Sequence, residues 1–260
     1  PQSNGKKTGR SVLNQRLGVH QAMVATIMTY NREQHCAIVI PHYNTLDSLW
    51  RLIEKIPPSM LPQTLVIDDG SITPPTGLPC PMIRHQHNKG YGAAQQSGYL
   101  HFLHTEGFEQ IQQIAMVHGD NQYDFHAIWQ AALELHNVQL GSRHLVPSIE
   151  ERYPWWRKWG NHALTGIANA TFKTQHTDLH TGARLYSRHF LGQLPWERLS
   201  TDFVFDQQVL CFALQHQIPM IEFPIAANYQ DDVSSISFRR SITYGLGCVQ
   251  SLWAAKRARF

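Results

Sequence analysis

The amino-acid sequence predicts an α/β fold in which helices flank a largely parallel sheet. Short apolar runs of strand length alternate with segments whose apolar residues recur every three or four positions. Polar residues directly follow three of these runs. Strands that alternate with helices build parallel sheets, and the carboxyl ends of their strands line a ligand crevice. Because we find no internal repeat and no low-complexity linker, we expect a single domain with an elaborated second half.

The elements of the first half follow from the apolar runs and the prolines. The runs AIVI and TLVI are almost wholly apolar, as in strands that are buried on both faces of a sheet. Between them, apolar residues recur as on one face of a helix, until Pro57 and Pro58 end it. The same patterns predict the other elements. In chain order these are a strand at 37–40, a helix at 46–56, strands at 64–67 and 82–87, a helix at 91–104, a strand at 111–118 and a helix at 125–135.

The composition excludes several classes of protein. Hydrophobic residues make up 42% of the chain and charged residues 16%, which excludes a disordered, collagen-like or coiled-coil protein. The net charge of +3 is too small to indicate a nucleic-acid partner. We also expect no membrane span and no secretory leader, because no run of 18 apolar residues occurs. The four cysteines are far apart, so neither a zinc site nor a disulfide framework is expected.

Three polar clusters follow predicted strands and are the candidate ligand-binding residues. They are Pro41–Asn44, Asp68–Ser71 and His118–Gln122. Since strand ends of an open α/β sheet point into one crevice, we expect the clusters to converge. Carboxylates after the second strand suit the donors of a base or ribose, and the third cluster offers oxygen ligands for a divalent cation that bridges phosphates. For Asp68–Ser71, a turn capped by its own side chains is the alternative.

The order and spacing of these clusters resemble the nucleotide-sugar half of the family 2 glycosyltransferases, which are inverting enzymes of the GT-A fold. The matching segments are IVIPHYN, LVIDDGS, NKGYGAA and HGDNQYD. Segments of the second half are similar to the polyprenyl-phosphate branch, which includes dolichol-phosphate mannose synthases and bacterial undecaprenyl-phosphate sugar transferases. These segments are GSR, PWWRKWGN, DLHTGARLYSR, FVFDQQVL, IEFPIAANY and SSISFRRSITYG, so that the resemblance covers about residues 36–245.

The resemblance implies a domain organisation. It predicts a GT-A fold with a mostly parallel, Rossmann-like sheet flanked by helices, preceded by a lead-in at residues 1–35. The glycosyltransferase domain would occupy residues 36–230, with a nucleotide-sugar half at 36–137 and an acceptor half at 138–230. An amphipathic, membrane-associated tail would follow at 231–260.

The resemblance also implies which residues bind the donor and a metal ion. In this family an Asp-x-Asp-x-Gln run binds Mg²⁺ or Mn²⁺, and here the run reads His118-x-Asp120-x-Gln122. Imidazole suits Mn²⁺ better than Mg²⁺, so His118 is either a ligand that favours Mn²⁺, a neighbour of the ligands, or a packed residue without a metal role. The residues implied to bind the nucleotide-sugar are Pro41, Tyr43, Asn44, Asp68, Asp69, Gly90 and Asp120.

In the acceptor half, the resemblance implies that Arg143, Arg157 and Asn161 bind the acceptor's phosphate. Guanidinium groups suit that role because they stay charged and match phosphate geometry. Asp178 is the candidate catalytic base, with helix or turn capping and substrate positioning as alternatives. Arg184 is a second catalytic candidate, as a partner of the pyrophosphate or of Asp178.

The predicted function is the inverting transfer of one sugar from a UDP- or GDP-sugar to a polyprenyl phosphate. The enzyme would be cytoplasmic and peripheral at the inner face of the membrane. One alternative is a soluble acceptor, and another is a catalytically idle nucleotide-sugar-binding protein, which the departure at His118 motivates.

The C-terminal segment carries the membrane prediction. Phe238, Ile242, Leu246 and Val249 recur at helical spacing beside basic residues, as in helices that lie at a membrane surface. The alternative is a helix packed on the domain's own core.

Overall fold

A seven-stranded sheet forms the centre of the part of the chain that the computed structural model describes, which is residues 31–146, 155–228 and 238–257. The strands are β1 (Cys36–His42), β2 (Thr64–Asp68), β3 (Met82–Arg84), β4 (Gln113–Met116), β5 (Val138–Ser142), β6 (Arg184–Ser187) and β7 (Met220–Pro224). Their order in the sheet is β3-β2-β1-β4-β6-β5-β7. β6 is antiparallel to both β4 and β5, and the other neighbours are parallel. The predicted α/β architecture with a mostly parallel sheet is confirmed.

Helices flank the sheet. They are α1 (Arg32–His35), α2 (Leu46–Ile53), α3 (Tyr91–His104), α4 (Phe125–Ala131), α5 (Trp155–Phe172), α6 (Arg188–Leu191), α7 (Val204–Gln215) and α8 (Phe238–Lys256). Short 3-10 helices lie at Pro58–Gln63, Arg143–Leu145 and Trp196–Arg198. No helix of the described ranges is long and apolar enough to cross a membrane.

The elements predicted for the first half are present, and four of them are shorter than predicted. The strand predicted at 111–118 spans only Gln113–Met116. The strand predicted at 82–87 stops at Arg84, because β3 is an edge strand that pairs only with β2. The helix predicted at 46–56 ends at Ile53. The helix predicted at 125–135 ends at Ala131, and Leu135, the last residue of the predicted helix, is 40% exposed.

Apolar residues pack on both faces of the sheet, which explains the uninterrupted apolar runs. Along β1, Val39 contributes to the cluster that contains Tyr99 and Phe102 of α3. Its neighbour Ile38 contributes to the opposite cluster, with Leu49 of α2. Because successive side chains of a strand point to opposite faces, a strand covered on both sides must be apolar at every position.

The helix within the predicted tail at 231–260 belongs to the domain core. α8 packs against α7 and α5, and it buries Cys248, Leu252 and Ala255. Leu246 and Val249 of the predicted stripe are exposed and do not form this contact, and the side chains of Phe238 and Ile242 lie outside the described part of the chain. The helix therefore packs on the domain through one face and presents Leu246 and Val249 on another.

Two helical glycines test how closely α3 packs on β1. A Cβ at Gly98 of α3 would collide with Val39 of β1, whereas a Cβ at Gly166 of α5 would meet no atom within 4 Å. We expect Gly98→Ala to destabilise the protein, because overpacking costs about 1–3 kcal/mol and exceeds the gain in helix propensity. We expect Gly166→Ala to stabilise it by about 0.5–1 kcal/mol. Urea unfolding measures both, and equal effects would contradict the close contact of α3 with β1.

Candidate active site

The three predicted polar clusters converge at the carboxyl ends of β1, β2 and β4. His42 is the register partner of Asp68, and the Gly119 amide donates to the Pro41 carbonyl over 3.1 Å. The Asn44 amide also donates to Ser71 Oγ over 2.9 Å. Pro41 lies buried within β1, whereas Asn44 is exposed beside Tyr43, which is 44% exposed. Tyr43 is thus the large aromatic surface that this strand end offers to a ligand.

His42 and Asp68 each bury a polar atom that has no hydrogen-bond partner among the described residues, namely Nε2 of His42 and Oδ2 of Asp68. Arg84 Nε lies 3.3 Å from Oδ2 as an ion pair, but not in hydrogen-bonding geometry. Burial lowers the pKa of His42, against the opposing effect of Asp68, so the imidazole is neutral at pH 7. Buried polar atoms are normally satisfied, so an unsatisfied pair at a strand end points to a ligand. The family resemblance assigns no role to His42.

Asp69 has a different position from the one predicted. Its carboxylate accepts hydrogen bonds from the amides of Lys89 and Gly90, both over 2.9 Å, and its Oδ1 lies 2.6 Å from His85 Nδ1. Asp69 therefore anchors the loop before α3, instead of standing beside Asp68 with its carboxylate turned to a nucleoside.

Gly90 also serves the fold directly. Its φ of +109° lies in the region that favours glycine, and a Cβ there would collide with the carbonyl oxygen of Thr201. At this turn, the chain between β3 and α3 thus lies close to the segment that precedes α7.

His118 belongs to a chain of hydrogen bonds that no pattern in the sequence predicts. Its Nε2 lies 2.7 Å from the Tyr91 hydroxyl, and this hydroxyl donates to Asp206 Oδ2 over 3.1 Å. The Nε2 edge of the ring packs against Gly182, where a Cβ would collide with it. Tyr91 begins α3 and Asp206 lies in the first turn of α7, so tertiary structure brings together residues far apart in the chain.

The residues after β4 fit a cation that is shared with a substrate better than one enclosed by protein. No group of three or more His, Cys, Asp or Glu side chains with metal-binding geometry occurs in the described ranges. Asp120 and Gln122 are half-buried, and Asp120 Oδ1 accepts the Gln122 amide over 3.1 Å. Divalent cations that bind phosphates commonly use one or two carboxylates and the phosphates themselves, which matches this sparse donor set.

Asp178 forms a buried ion pair with Arg143. Arg143 Nε lies 2.7 Å from Oδ2, and Nη2 lies 3.0 Å from Oδ1. Burial alone would raise the pKa of Asp178, but Arg143 outweighs that effect and holds the pKa below its ordinary value of 3.8. A carboxylate so acidic and so fully engaged is a weak base, which favours positioning over proton abstraction.

Glu222 of β7 organises this pair, although the sequence does not predict a role for it. Its carboxylate accepts the backbone amides of Thr177 and Asp178, with contacts of 2.8 to 3.0 Å. The only sequence signal was the position of Glu222 within a segment that matched the family. Its role depends on the pairing of β7 beside β5, which the local sequence does not reveal.

Arg184 is a buried residue of the core rather than a ligand of substrate. It is 1% exposed, and its guanidinium donates to the Thr181 carbonyl, the Tyr186 hydroxyl and the Asp206 carbonyl. Its ionic partner is Asp206, with Nη2 at 3.6 Å from Oδ2. The prediction of Arg184 as a catalytic group, paired with pyrophosphate or Asp178, does not agree with this placement, because the guanidinium is enclosed by protein.

The structure describes only part of the set of residues predicted to bind the acceptor's phosphate. Arg143 faces Asp178, and Asn161 is half-buried on α5. The side chain of Arg157 lies outside the described part of the chain. The structure therefore connects Arg143 with Asp178, and the joint role of the three residues stays a prediction.

A concavity of about 1090 Å³ lies at the opposite edge of the sheet. Its lining includes Gln112, Asn137 and Pro219, each just before the start of a parallel strand. Arg188 in its wall donates to the carbonyls of Phe102, Leu103 and Phe108 and so braces the end of α3. We assign the candidate active site to the carboxyl edge, because the unsatisfied buried atoms of His42 and Asp68 lie there.

Comparisons with known proteins show the fold. No family model and no curated protein matches the sequence. Among solved structures, glucosyl-3-phosphoglycerate synthase from Mycobacterium tuberculosis in complex with UDP superimposes with a TM-score of 0.61 at 13% identity, over 86% of this chain and 80% of that one. Mannosyl-3-phosphoglycerate synthase from Rubrobacter xylanophilus gives a TM-score of 0.61 at 12% identity, over 87% and 76%.

The mycobacterial synthase in complex with Mn²⁺, UDP and phosphoglyceric acid gives the same TM-score of 0.61 at 11% identity, over 86% of this chain and 78% of that one. At sequence identities this low, the superpositions establish a shared fold and nothing finer. The chain has the GT-A fold, as the sequence analysis predicted.

The Asp178–Arg143 pair predicts a pH-dependent contribution to stability. Because the pKa of Asp178 is lowered on folding, its contribution is complete above the ordinary value of 3.8 and is lost as the pH falls towards the folded value. We expect Asp178→Asn to lower the free energy of unfolding by about 2–4 kcal/mol at pH 7. Urea unfolding between about pH 7 and about pH 3 should show this difference shrinking at the acid end.

The exposed Asp47 on α2 provides the control, since Asp47→Asn removes the same charge without breaking a buried pair. Its effect should stay within about 0.5 kcal/mol at neutral pH. A difference for Asp178→Asn that does not change with pH would contradict the lowered pKa.

Proposed function

We propose that this GT-A-fold chain is a glycosyltransferase that moves a sugar, with inversion, from a nucleotide-sugar to an acceptor that carries a phosphate. The observation that carries the proposal is the pair of unsatisfied buried atoms, His42 Nε2 and Asp68 Oδ2, at strand ends next to the loop of Asp120. Two buried polar atoms without hydrogen-bond partners cost free energy, and a bound ligand with matching groups removes that cost.

The donor's nucleoside is the ligand that suits this pair. Asp68 Oδ2 accepts hydrogen bonds, as a base N–H or a ribose hydroxyl requires, and neutral His42 complements it. The exposed ring of Tyr43 offers a surface on which a base stacks. Asp69 and Gly90 support this site by holding the loop before α3.

A divalent cation, when bound, would neutralise charge on the departing nucleoside diphosphate. Asp120 would hold it, with His118 and Gln122 as further donors. Imidazole nitrogen among the donors favours Mn²⁺ over Mg²⁺, and Mn²⁺ accompanies UDP in complexes of the mycobacterial synthase.

Asp178 acts in this proposal as a positioning residue for Arg143. A phosphate monoester is largely a dianion at pH 7, so the acceptor needs little help from a base. Both oxygens of Asp178 are held by Arg143, and Glu222 fixes the backbone around it. Arg143 is thereby held in one orientation, which suits a phosphate contact shared with Arg157 and Asn161.

The first candidate acceptor is a small, water-soluble phosphorylated molecule. Proteins of the same fold are named for glucosyl and mannosyl transfer to 3-phosphoglycerate. The soluble-acceptor alternative of the sequence analysis is thus better supported than its main interpretation, because a polyprenyl-phosphate acceptor has no counterpart among these structures.

A polyprenyl phosphate at a membrane surface is the second candidate, and the exposed face of α8 favours it. Leu246 is 61% exposed, Val249 42% and Trp253 57%, and the three lie along one face of the helix. The Arg257 guanidinium lies 3.4 Å from the ring centroid of Trp253. Apolar and aromatic groups beside basic ones are typical of helices at an anionic membrane surface.

Replacing the proposed metal-binding carboxylate tests the activity. Asp120→Asn should lower the rate of sugar transfer by about 10²–10³, because the leaving diphosphate loses its bound counter-charge. Release of UDP or GDP from a panel of nucleotide-sugars, with phosphorylated acceptors present, measures this rate.

Asp124→Asn is the matched control, because it makes the same chemical change four residues along. Asp124 caps α4 by accepting the His126 amide over 3.0 Å, and asparagine caps a helix equally well. Its rate should stay within about twofold of wild type. Equal loss in both variants would contradict the assignment of Asp120, and nucleotide-sugar binding without any turnover by wild type would favour the idle-binder alternative.

Liposome sedimentation separates the two acceptors. If α8 contacts a membrane, wild type pellets with anionic vesicles at low salt, and Leu246→Gln combined with Trp253→Gln weakens pelleting by about tenfold. These exposed residues are better targets than deletion of the helix, because α8 buries Leu252 and Ala255 in the core. A wild-type protein that stays in the supernatant and glycosylates a soluble phosphate ester would exclude the membrane interpretation.

A further inference from the structure

We infer that Tyr91 and Asp206 are positioning residues that fix the tautomer of His118, so that Nε2 carries the proton and Nδ1 carries the free electron pair. The assignment of the tautomer depends only on the geometry of the hydrogen bonds. The inference that His118 presents Nδ1 to a cation rests on the proposed function. In the family run that this segment resembles, an aspartate stands at the position of His118.

The direction of these hydrogen bonds, from His118 to Tyr91 to Asp206, follows from the carboxylate at one end. A carboxylate has no hydrogen to give, so Asp206 Oδ2 accepts the single hydrogen of the Tyr91 hydroxyl over 3.1 Å. The Tyr91 oxygen is then left with electron pairs only on the side of His118. His118 Nε2, at 2.7 Å, must therefore donate its hydrogen to Tyr91. The hydrogen-bond network thus assigns the Nε2–H tautomer.

Asp206 is well placed to impose this direction, because two further groups hold it. Gln95 Nε2 donates to Oδ1 over 2.8 Å, and Arg184 lies 3.6 Å from Oδ2. Asp206 is 7% exposed and lies in the first turn of α7. With Oδ1 occupied by Gln95, Oδ2 is the oxygen that faces Tyr91.

The packing of His118 leaves Nδ1 as the nitrogen for a ligand. The ring edge that carries Nε2 lies against Gly182, where no Cβ fits. Tyr123 contacts the ring edge-on, with centroids 5.7 Å apart. His118 is half-buried, and no described residue hydrogen-bonds to Nδ1. Asp120, the proposed cation ligand, follows two residues later.

An imidazole needs such support where a carboxylate does not. Neutral imidazole has one bare nitrogen, and it binds a cation only through that nitrogen. Histidine ligands therefore commonly donate their other N–H to a neighbouring group, which fixes the ring and raises its basicity. The Tyr91–Asp206 chain supplies this partner, and it also gives the buried Arg184–Asp206 pair a purpose beyond packing.

Nitrogen NMR of protein labelled with ¹⁵N-histidine tests the tautomer directly. The chain has 16 histidines, so the His118 signals are identified by their loss in His118→Gln. At about pH 8, wild type should show protonated Nε2 and bare Nδ1. In Tyr91→Phe both signals should move towards each other, because the ring exchanges between tautomers. Wild-type protein with protonated Nδ1 would overturn the inference without any variant.

Tyr99→Phe is the matched control. Tyr99 lies on the same helix, is fully buried, and donates its hydroxyl to Gln95 Oε1 over 3.0 Å. Its replacement removes a buried hydroxyl but leaves the hydrogen bonds from His118 to Asp206 intact. The His118 signals should not move. Signals that stay unchanged in Tyr91→Phe as well would overturn the role of Tyr91.

Titration of Mn²⁺ in the presence of UDP, followed by electron paramagnetic resonance, tests the purpose of the chain. Tyr91→Phe should weaken Mn²⁺ binding by about 10–100-fold, and Tyr99→Phe should leave it within about threefold. A tautomer change with unaltered Mn²⁺ affinity would overturn the link to the cation. The NMR measurement needs no donor, acceptor or metal, so an absence of sugar transfer would overturn the proposed function and leave the tautomer result standing.

Discussion

The buried ion pair between Arg184 and Asp206 is the interaction on which the candidate site depends. Arg184 begins β6, the antiparallel strand between β4 and β5, and is among the largest fully buried side chains of the described residues. A permanently charged guanidinium in the core requires a carboxylate and further acceptors, or the free-energy cost is several kcal/mol. Asp206 meets this need from α7 and so ties α7 to the sheet.

The carboxylate of Asp206 is also connected to the strand ends by hydrogen bonds to side chains of α3. Gln95 and Tyr91 both donate to Asp206, and Tyr91 continues the chain to His118 after β4. A group that stabilises the core thereby sets the orientation of a residue at the crevice. On the other side of β6, Asp178 and Arg143 form a second buried pair, which Glu222 holds in place. Two charge pairs thus organise the parts of the candidate site that follow β4 and β5.

Most of the first half of the fold was predictable, because its signals are local. Strands covered on both faces must be apolar throughout, and AIVI and TLVI show this directly in the sequence. The convergence of the three polar clusters followed from the parallel sheet. The lengths of β3 and α4 were less predictable, since the edge position of β3 and the exposure of Leu135 depend on neighbours distant in the chain.

The sequence by itself determined the alternation of strands and helices, the polar strand ends and the residue types of the site, because these depend on side-chain chemistry at short range. Tertiary structure alone decided the partners. Asp69 accepts a hydrogen bond from a loop amide, and His118 forms a hydrogen bond with Tyr91. Arg184 forms an ion pair with Asp206 rather than with Asp178. Each choice depends on which helix packs beside which strand, and a buried polar group takes the partner that the fold places within hydrogen-bonding distance.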